Sequence, residues 1–258
     1  MALPTLFISH GAPTLLTDPT MPGAALRQLG QRLPRPHAIL VMSAHWFTDQ
    51  PTVSNAEQPE TIYDFYGFPA ELYKLRYAAP GSPRVAERVL QTLAGAGFTA
   101  LQQSHGLDHG AWVPLSLLFP DADIPVLQLS VQPKLNPSPH WQVGKALQSL
   151  RDEGILIIGA GQITHNLREL NLTAQPGEEV AWTKAFVDWM QQRISNLDKD
   201  ALLDYRRAAP YAQRAHPTDE HLLPLFTAIG AAGKSPQVEH LNLGISFGTL
   251  AWDSYVFW

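Results

Sequence analysis

The sequence predicts an α/β fold: a single domain with a mostly parallel central sheet flanked by helices, and an active site at the carboxyl ends of the strands. Three observations predict it. Short apolar, β-branched runs bounded by Gly and Pro recur along the 258 residues, as buried parallel strands do. Segments of helical period alternate with them early in the chain, the pattern of a parallel sheet. Finally, three of the runs end at or near a histidine. Residues 4–9 run into His10-Gly11, residues 38–44 into His45-Trp46, and residues 154–161 lead to Thr164-His165-Asn166. Open α/β sheets bind ligands outside the carboxyl ends of their strands. Three histidines delivered to that edge point to one metal-centred site.

In chain order, the first strand covers 4–9, a helix follows over 24–33, and a second strand covers 38–43. Residues 46–80 are aromatic and proline-punctuated, with Tyr63-Asp64-Phe65-Tyr66-Gly67-Phe68-Pro69 at their centre. Loops of this length inside a compact domain are usually functional, although a surface hairpin packed by its own aromatics is an equal reading. A helix after Pro83 places Val85, Val89, Leu90 and Leu93 on one face. Asp108-His109-Gly110 precedes an apolar helix over 112–119, and 124–131 is the third clear strand. A helix over 140–151 and a strand over 155–158 come next. Residues 178–197 read as a long amphipathic helix with acidic residues in its first turn, favourable at the positive end of the helix dipole. His216-Pro217-Thr218-Asp219-Glu220-His221 reads as another helix start, with Thr218 at the N-cap, His221 at N3, and Leu222 and Leu225 facing the core. Closing strands are expected over 241–247 and 249–257. No linker or repeat interrupts the pattern, so one catalytic domain is expected over 1–258.

Composition narrows the chemistry. A hydrophobic content of 45% suffices for a sizeable core. The net charge of -5 and the lack of a basic stripe argue against a nucleic-acid partner. There is no cysteine, hence no disulfide framework, thiolate nucleophile or zinc ribbon. Any metal must be held by imidazole and oxygen, which suits non-haem iron, manganese or zinc. The first apolar run is too short and lacks the basic flank of a signal peptide, and no stretch is long enough to span a bilayer. A cytoplasmic location is expected; the oligomeric state stays open.

The ordered set Ser9-His10-Gly11-Ala12-Pro13, Ser43-Ala44-His45-Trp46, Asp108-His109-Gly110-Ala111-Trp112, Thr164-His165-Asn166-Leu167 and His216 through Pro224 resembles the class III extradiol ring-cleavage dioxygenases. This is the superfamily of the protocatechuate-cleaving β-subunit, and the chain looks most like its DOPA 4,5-dioxygenase branch. The resemblance runs from Leu6 to about Leu250. It implies a site that opens a catechol ring with both atoms of O2 to give a muconic semialdehyde, the partners being a small catechol and O2. It implies His10 and His45 as metal ligands, with His221 as the third and Glu220 as the second choice for that place. It implies His165 as the base that takes a catechol proton, and His109 as a second active-site histidine that hydrogen-bonds substrate or dioxygen. His165 is also placed to act as a fourth ligand in a zinc-loaded resting site. Fe(II) is implied for activity, and Zn(II) is a plausible occupant of an all-imidazole site.

Plainer readings stand beside these. His37, His105, His140 and His240 lie in polar or proline-rich surroundings and read as surface or capping residues, while His216 could line the pocket. His109 could be a helix-start histidine bonded to backbone, and His221 an ordinary N3 residue. The aromatic loop and Trp112 could stack on an aromatic substrate or belong to the core. Gly159 and Gly161 lack the third glycine and the acidic residue of a nucleotide fingerprint. Two other functions fit the same histidines. One is a zinc hydrolase with Glu220 or Asp108 as general base; the other is a metal- or ligand-binding relative without catalysis.

Overall fold

The apolar runs lie side by side at the centre of an eight-stranded sheet. The computed structural model describes residues 2–19, 22–175 and 177–258. Strands β1 (Thr5–Ser9), β2 (Ala38–Phe47), β3 (Thr52–Ser54) and β4 (Leu101–Gln103) are interleaved with helices α1 (Gly23–Arg32) and α2 (Pro83–Gly95). Then come α3 (His109–Leu118), β5 (Val126–Val131), α4 (Pro137–Leu147), β6 (Ile155–Gly161) and α5 (Ala181–Ser195). Three short helices follow, α6 (Lys199–Leu203), α7 (Tyr205–Ala208) and α8 (Ala212–Ala215), before α9 (Leu223–Ala231). The chain closes with β7 (Val238–Leu241), β8 (Ile245–Ser246), β9 (Leu250–Ala251) and β10 (Ser254–Phe257). The sheet order is β4-β3-β5-β2-β6-β1-β10-β7, and β8 pairs with β9 in a separate ribbon.

The inner strands β5, β2, β6 and β1 are mutually parallel, whereas β10 and β7 add antiparallel at one edge. At the other edge β3 meets β5 antiparallel and pairs with β4 in parallel. The predicted mostly parallel sheet is therefore present. Because side chains alternate along a strand, each inner strand feeds both faces. Leu40 and Met42 of β2, Leu127 and Leu129 of β5 and Ile155 and Ile157 of β6 pack with Val143, Phe186 and Leu225 from α4, α5 and α9. Ile39, Val41, Leu156 and Ile158 pack on the opposite face with Leu26, Leu29, Trp112 and Leu115 from α1 and α3. Both faces are covered, which is why these strands are continuously apolar.

Several expectations are corrected. Residues 46–80 are not wholly a loop, since Thr52–Ser54 pairs into the sheet, and the three-residue β4 carries no sequence period long enough to read. Helix α5 begins at Ala181 with Val180 at its N-cap, so Glu178 and Glu179 precede the helix and its first turn holds no acid. Helix α9 starts at Leu223, not at Thr218; the Asp219 carbonyl accepts from the N–H groups of Leu222 and Leu223, and Thr218 Oγ1 donates to Glu220. The closing strands are four short pieces, broken at Gly244 and Gly248, which both take positive φ.

His140 is buried, not a surface residue. Its Nδ1–H donates to the Asn136 carbonyl at 3.1 Å, and its Nε2 accepts from the Gln132 N–H at 3.3 Å. Burial pushes its pKa down to about 4. An unfolded histidine titrates near 6.5, so as pH falls from about 6.5 towards 4 the unfolded chain binds a proton that the folded chain refuses. The stability carried by the neutral ring is present above this window and lost through it. Urea unfolding at about pH 7 and about pH 5 should show His140→Gln losing roughly 2 kcal/mol less than the unsubstituted chain over the interval. Equal losses would show that His140 titrates normally.

Candidate metal centre

Three elements deliver the first histidines. His10 is the residue after β1, and its backbone N–H donates to the Gly161 carbonyl at 3.0 Å, so the end of β1 stays tied to β6. Its Nδ1–H donates to the Gly11 carbonyl at 2.8 Å, which turns Nε2 inward as a lone pair. Gly11 has φ +57° and lies so close to the Trp252 ring that a Cβ would overlap it. His45 lies where β2 loses register with β5, between Met42 and Phe47. Such irregularities re-aim side chains at strand ends. His221 sits in the turn before α9. Its carbonyl accepts from the Gln162 N–H at 2.8 Å, and a Cβ at Gly161 would collide with that carbonyl oxygen. The bare backbone at 161 lets this turn lie against the end of β6.

One ring nitrogen from each of His10, His45 and His221 lies within 4.8 Å of the other two. All three Nε2 atoms are buried with no hydrogen-bond partner among the described residues. The opposite nitrogens face acceptors: His45 Nδ1 lies 3.6 Å from Asp64 Oδ2, and His221 Nδ1 lies 3.3 Å from Glu220 Oε1. Burial, then the neighbouring histidines, hold His10 and His221 well below the usual histidine range, and burial and His109 push His45 down to about 3. Three neutral imidazoles with convergent lone pairs and acceptors behind them form a donor set suited to a divalent cation.

The remaining predicted residues surround this trio. The His165 backbone N–H donates to the Ala215 carbonyl at 2.9 Å, and its ring lies flat on His221, with centroids 3.4 Å apart and an interplanar angle of 10°. Burial pushes it down to about 3, and His216 and His109 add to the effect. Its donor atom groups with Glu220 and His221. His109 opens α3, with its ring 4.0 Å from His45 and 5.3 Å from His10. Glu220 stands behind His221 and outside the trio.

Asp108 is committed elsewhere. It is buried at the N-cap of α3, accepts from the Ala111 N–H and bonds Ser43 and Gln128. His216 is buried behind His165, with Nε2 donating to the Ile163 carbonyl at 2.8 Å. Of the residues read as surface or capping, His37 is exposed. His105, by contrast, is half-buried and stacks on Trp46, and His240 bonds the buried Asp253 carboxylate at 2.6 Å.

Sequence reasoning missed two residues. Gln162 is buried and ties the residue after His10 to β9, accepting from the Gly11 N–H and donating to the Ala251 carbonyl. Asp64 accepts from both the backbone N–H and Nδ1–H of His109, at 3.0 and 2.9 Å. The only sequence signal for Asp64 was its place at the centre of the aromatic loop.

The contact between Gly161 and the His221 carbonyl yields a test. Gly161→Ala must push the turn off β6 and displace the His221 ring. Competition with a chromophoric chelator should show zinc affinity falling by about 10-fold or more; unchanged affinity would separate His221 from metal binding.

The chain is similar to known proteins over nearly its whole length. Residues 4–258 match the family described as the catalytic LigB subunit of aromatic ring-opening dioxygenase. A protein named 4,5-DOPA dioxygenase extradiol from Beta vulgaris is 44% identical over 259 residues, covering 98% of this chain and 96% of the relative. One of the same name from Escherichia coli (strain K12) is 36% identical over 252 residues, covering 96% and 92%. The crystal structure of an uncharacterized Escherichia coli K12 protein superposes with a TM-score of 0.83 at 32% identity, covering 99% of this chain and all of that one. With the match spanning both the strands that carry the histidines and the turn that closes on them, the chain belongs to the LigB family of aromatic ring-opening dioxygenases.

Proposed function

We propose that residues 1–258 act as one catalytic domain, a metal-dependent extradiol dioxygenase that opens a DOPA-like catechol with both atoms of O2 to give a muconic semialdehyde. The observation that carries this reading is the convergence of three buried, unpartnered Nε2 atoms beside two further histidines. Relatives named 4,5-DOPA dioxygenase extradiol support the substrate class. His10, His45 and His221 would hold the metal, Fe(II) for activity and Zn(II) as an alternative occupant. When bound, Fe(II) supplies a common centre for catecholate and dioxygen and a route for electrons between them.

The chain's own side chains supply proton handling and enclosure. A catechol hydroxyl must lose a proton on binding, and His165 is neutral and free to accept it at neutral pH. The catecholate left alongside raises the affinity of the imidazole for that proton. His165 groups with His221 and not with the whole trio, which favours a base over a fourth ligand. His109, its Nδ1–H bound to Asp64, turns Nε2 to the site as a partner for substrate or dioxygen. Phe65 meets His109 edge-on and is backed by the buried Trp112, an apolar wall on this side.

A zinc hydrolase is less well served, because Asp108 is locked in its buried cap and Glu220 is engaged by Thr218 and His221. Among the described residues no helix is long and apolar enough to cross a membrane, and we place the enzyme in the cytoplasm.

The test is anaerobic reconstitution with Fe(II), followed by oxygen uptake and visible absorbance with DOPA, catechol, protocatechuate and caffeate. Stoichiometric uptake with a new yellow chromophore is expected, and His165→Ala should slow turnover by about 10²- to 10⁴-fold while retaining metal. No uptake with any catechol, together with hydrolysis after zinc loading, would overturn the proposal.

A further inference from the structure

Asp64 touches two imidazoles that sequence reasoning assigned to different tasks. Oδ1 accepts from the backbone N–H and the Nδ1–H of His109, at 3.0 and 2.9 Å, and Oδ2 faces His45 Nδ1 at 3.6 Å. The two rings lie 4.0 Å apart between centroids. An ionised carboxylate only accepts hydrogen bonds. One group therefore favours the Nδ1–H tautomer in both rings and leaves both Nε2 atoms as lone pairs. For His45 that lone pair is the buried, unpartnered Nε2; for His109 it is the nitrogen opposite the one bound to Asp64.

The loop that carries Asp64 is built to hold it. The Tyr63 hydroxyl donates to the Leu75 carbonyl at 2.7 Å, and Trp112 Nε1–H donates to the Ile62 carbonyl at 3.0 Å. Phe65, buried beside Asp64, meets His109 edge-on at 5.8 Å and packs against Tyr73 at 4.9 Å. Side chains on both sides of Asp64 are thus pinned, and the carboxylate has little freedom to leave the two rings.

We infer that Asp64 is a positioning residue that sets the tautomer and orientation of His45 and His109 together, so that metal binding and proton handling depend on one carboxylate. The inference rests on the reading of His10, His45 and His221 as ligands. Carboxylates behind metal-bound histidines are familiar; here the same carboxylate serves a ligand and a non-ligand.

The experiment compares Asp64→Asn and Asp64→Glu with the unsubstituted chain, without catechol or oxygen. Asparagine keeps the shape but offers one acceptor and one donor, so it can support the Nδ1–H form of only one ring. Zinc affinity, read by chelator competition, should fall by about 10- to 100-fold in Asp64→Asn and recover in part in Asp64→Glu. Proton–nitrogen correlation NMR of the imidazoles in metal-free protein should show Nδ1–H at His45 and His109, and Nε2–H at one of them in Asp64→Asn.

Unchanged tautomers and affinity in Asp64→Asn would overturn the proposal. So would an affinity loss matched by a fall in Tm of the metal-free protein with both tautomers intact, which would mark a purely structural role. His10→Ala is the control: zinc affinity unchanged there would defeat the ligand reading itself, while the tautomer measurement still decides the role of Asp64.

Discussion

Three imidazole lone pairs face one another in a buried space, and the rest of the architecture keeps them there. A buried polar atom without a hydrogen bond costs about 1–3 kcal/mol, so three together favour any rearrangement that turns them outward. The other nitrogen of each ring faces an acceptor that opposes turning: the Gly11 carbonyl hydrogen-bonds His10, Glu220 lies 3.3 Å from His221, and Asp64 stands at the longer distance of 3.6 Å from His45. The backbone contributes as much. β1 and β2 both pair with β6, and the turn carrying His221 presses on the glycine that ends β6. Opening the trio would mean separating central strands of the sheet.

A second polar cluster fixes the distance between the end of β2 and the start of α3. Asp108 caps α3, bonds Ser43 on β2 and pairs with Gln128 on β5, all in the interior. Burial raises its pKa, and the hydrogen bonds from Ser43 and Gln128 work against that rise. Because His45 lies two residues after Ser43 and His109 directly follows Asp108, this latch sets their spacing. The acid therefore acts on the site through geometry, from the position next to His109.

What the sequence made legible was what period and punctuation record. The inner strands, the helices after Pro83 and Asp108, and the histidines at strand ends were all readable, because each signal is local to a dozen residues. The contribution of Asp64 was not, because its partners lie at His45 and His109 and only folding brings them together. Strands β3 and β4, at three residues each, are shorter than any usable period. The turn at 218–222 mimicked a helix start because Thr218 and Asp219 are cap formers, yet it is Pro224, in the first turn of α9, that belongs to the helix. His140 looked exposed because its neighbours Pro139 and Trp141 flank a helix face that only packing against α9 reveals.

The neighbours of β1 fix an order of events in the life of the chain. β1, the strand just before His10, pairs with β6 on one side and β10 on the other, so its partners lie far along the sequence from it. Contacts this distant form late and slowly. While the chain is still emerging, His10 and His45 hang on unpaired segments, and His221, the third ring, has yet to be made. A metal ion caught by the nascent chain would meet a flexible pair of imidazoles with no geometric preference. Any discrimination among ions would therefore belong to the finished fold, once all three rings stand together.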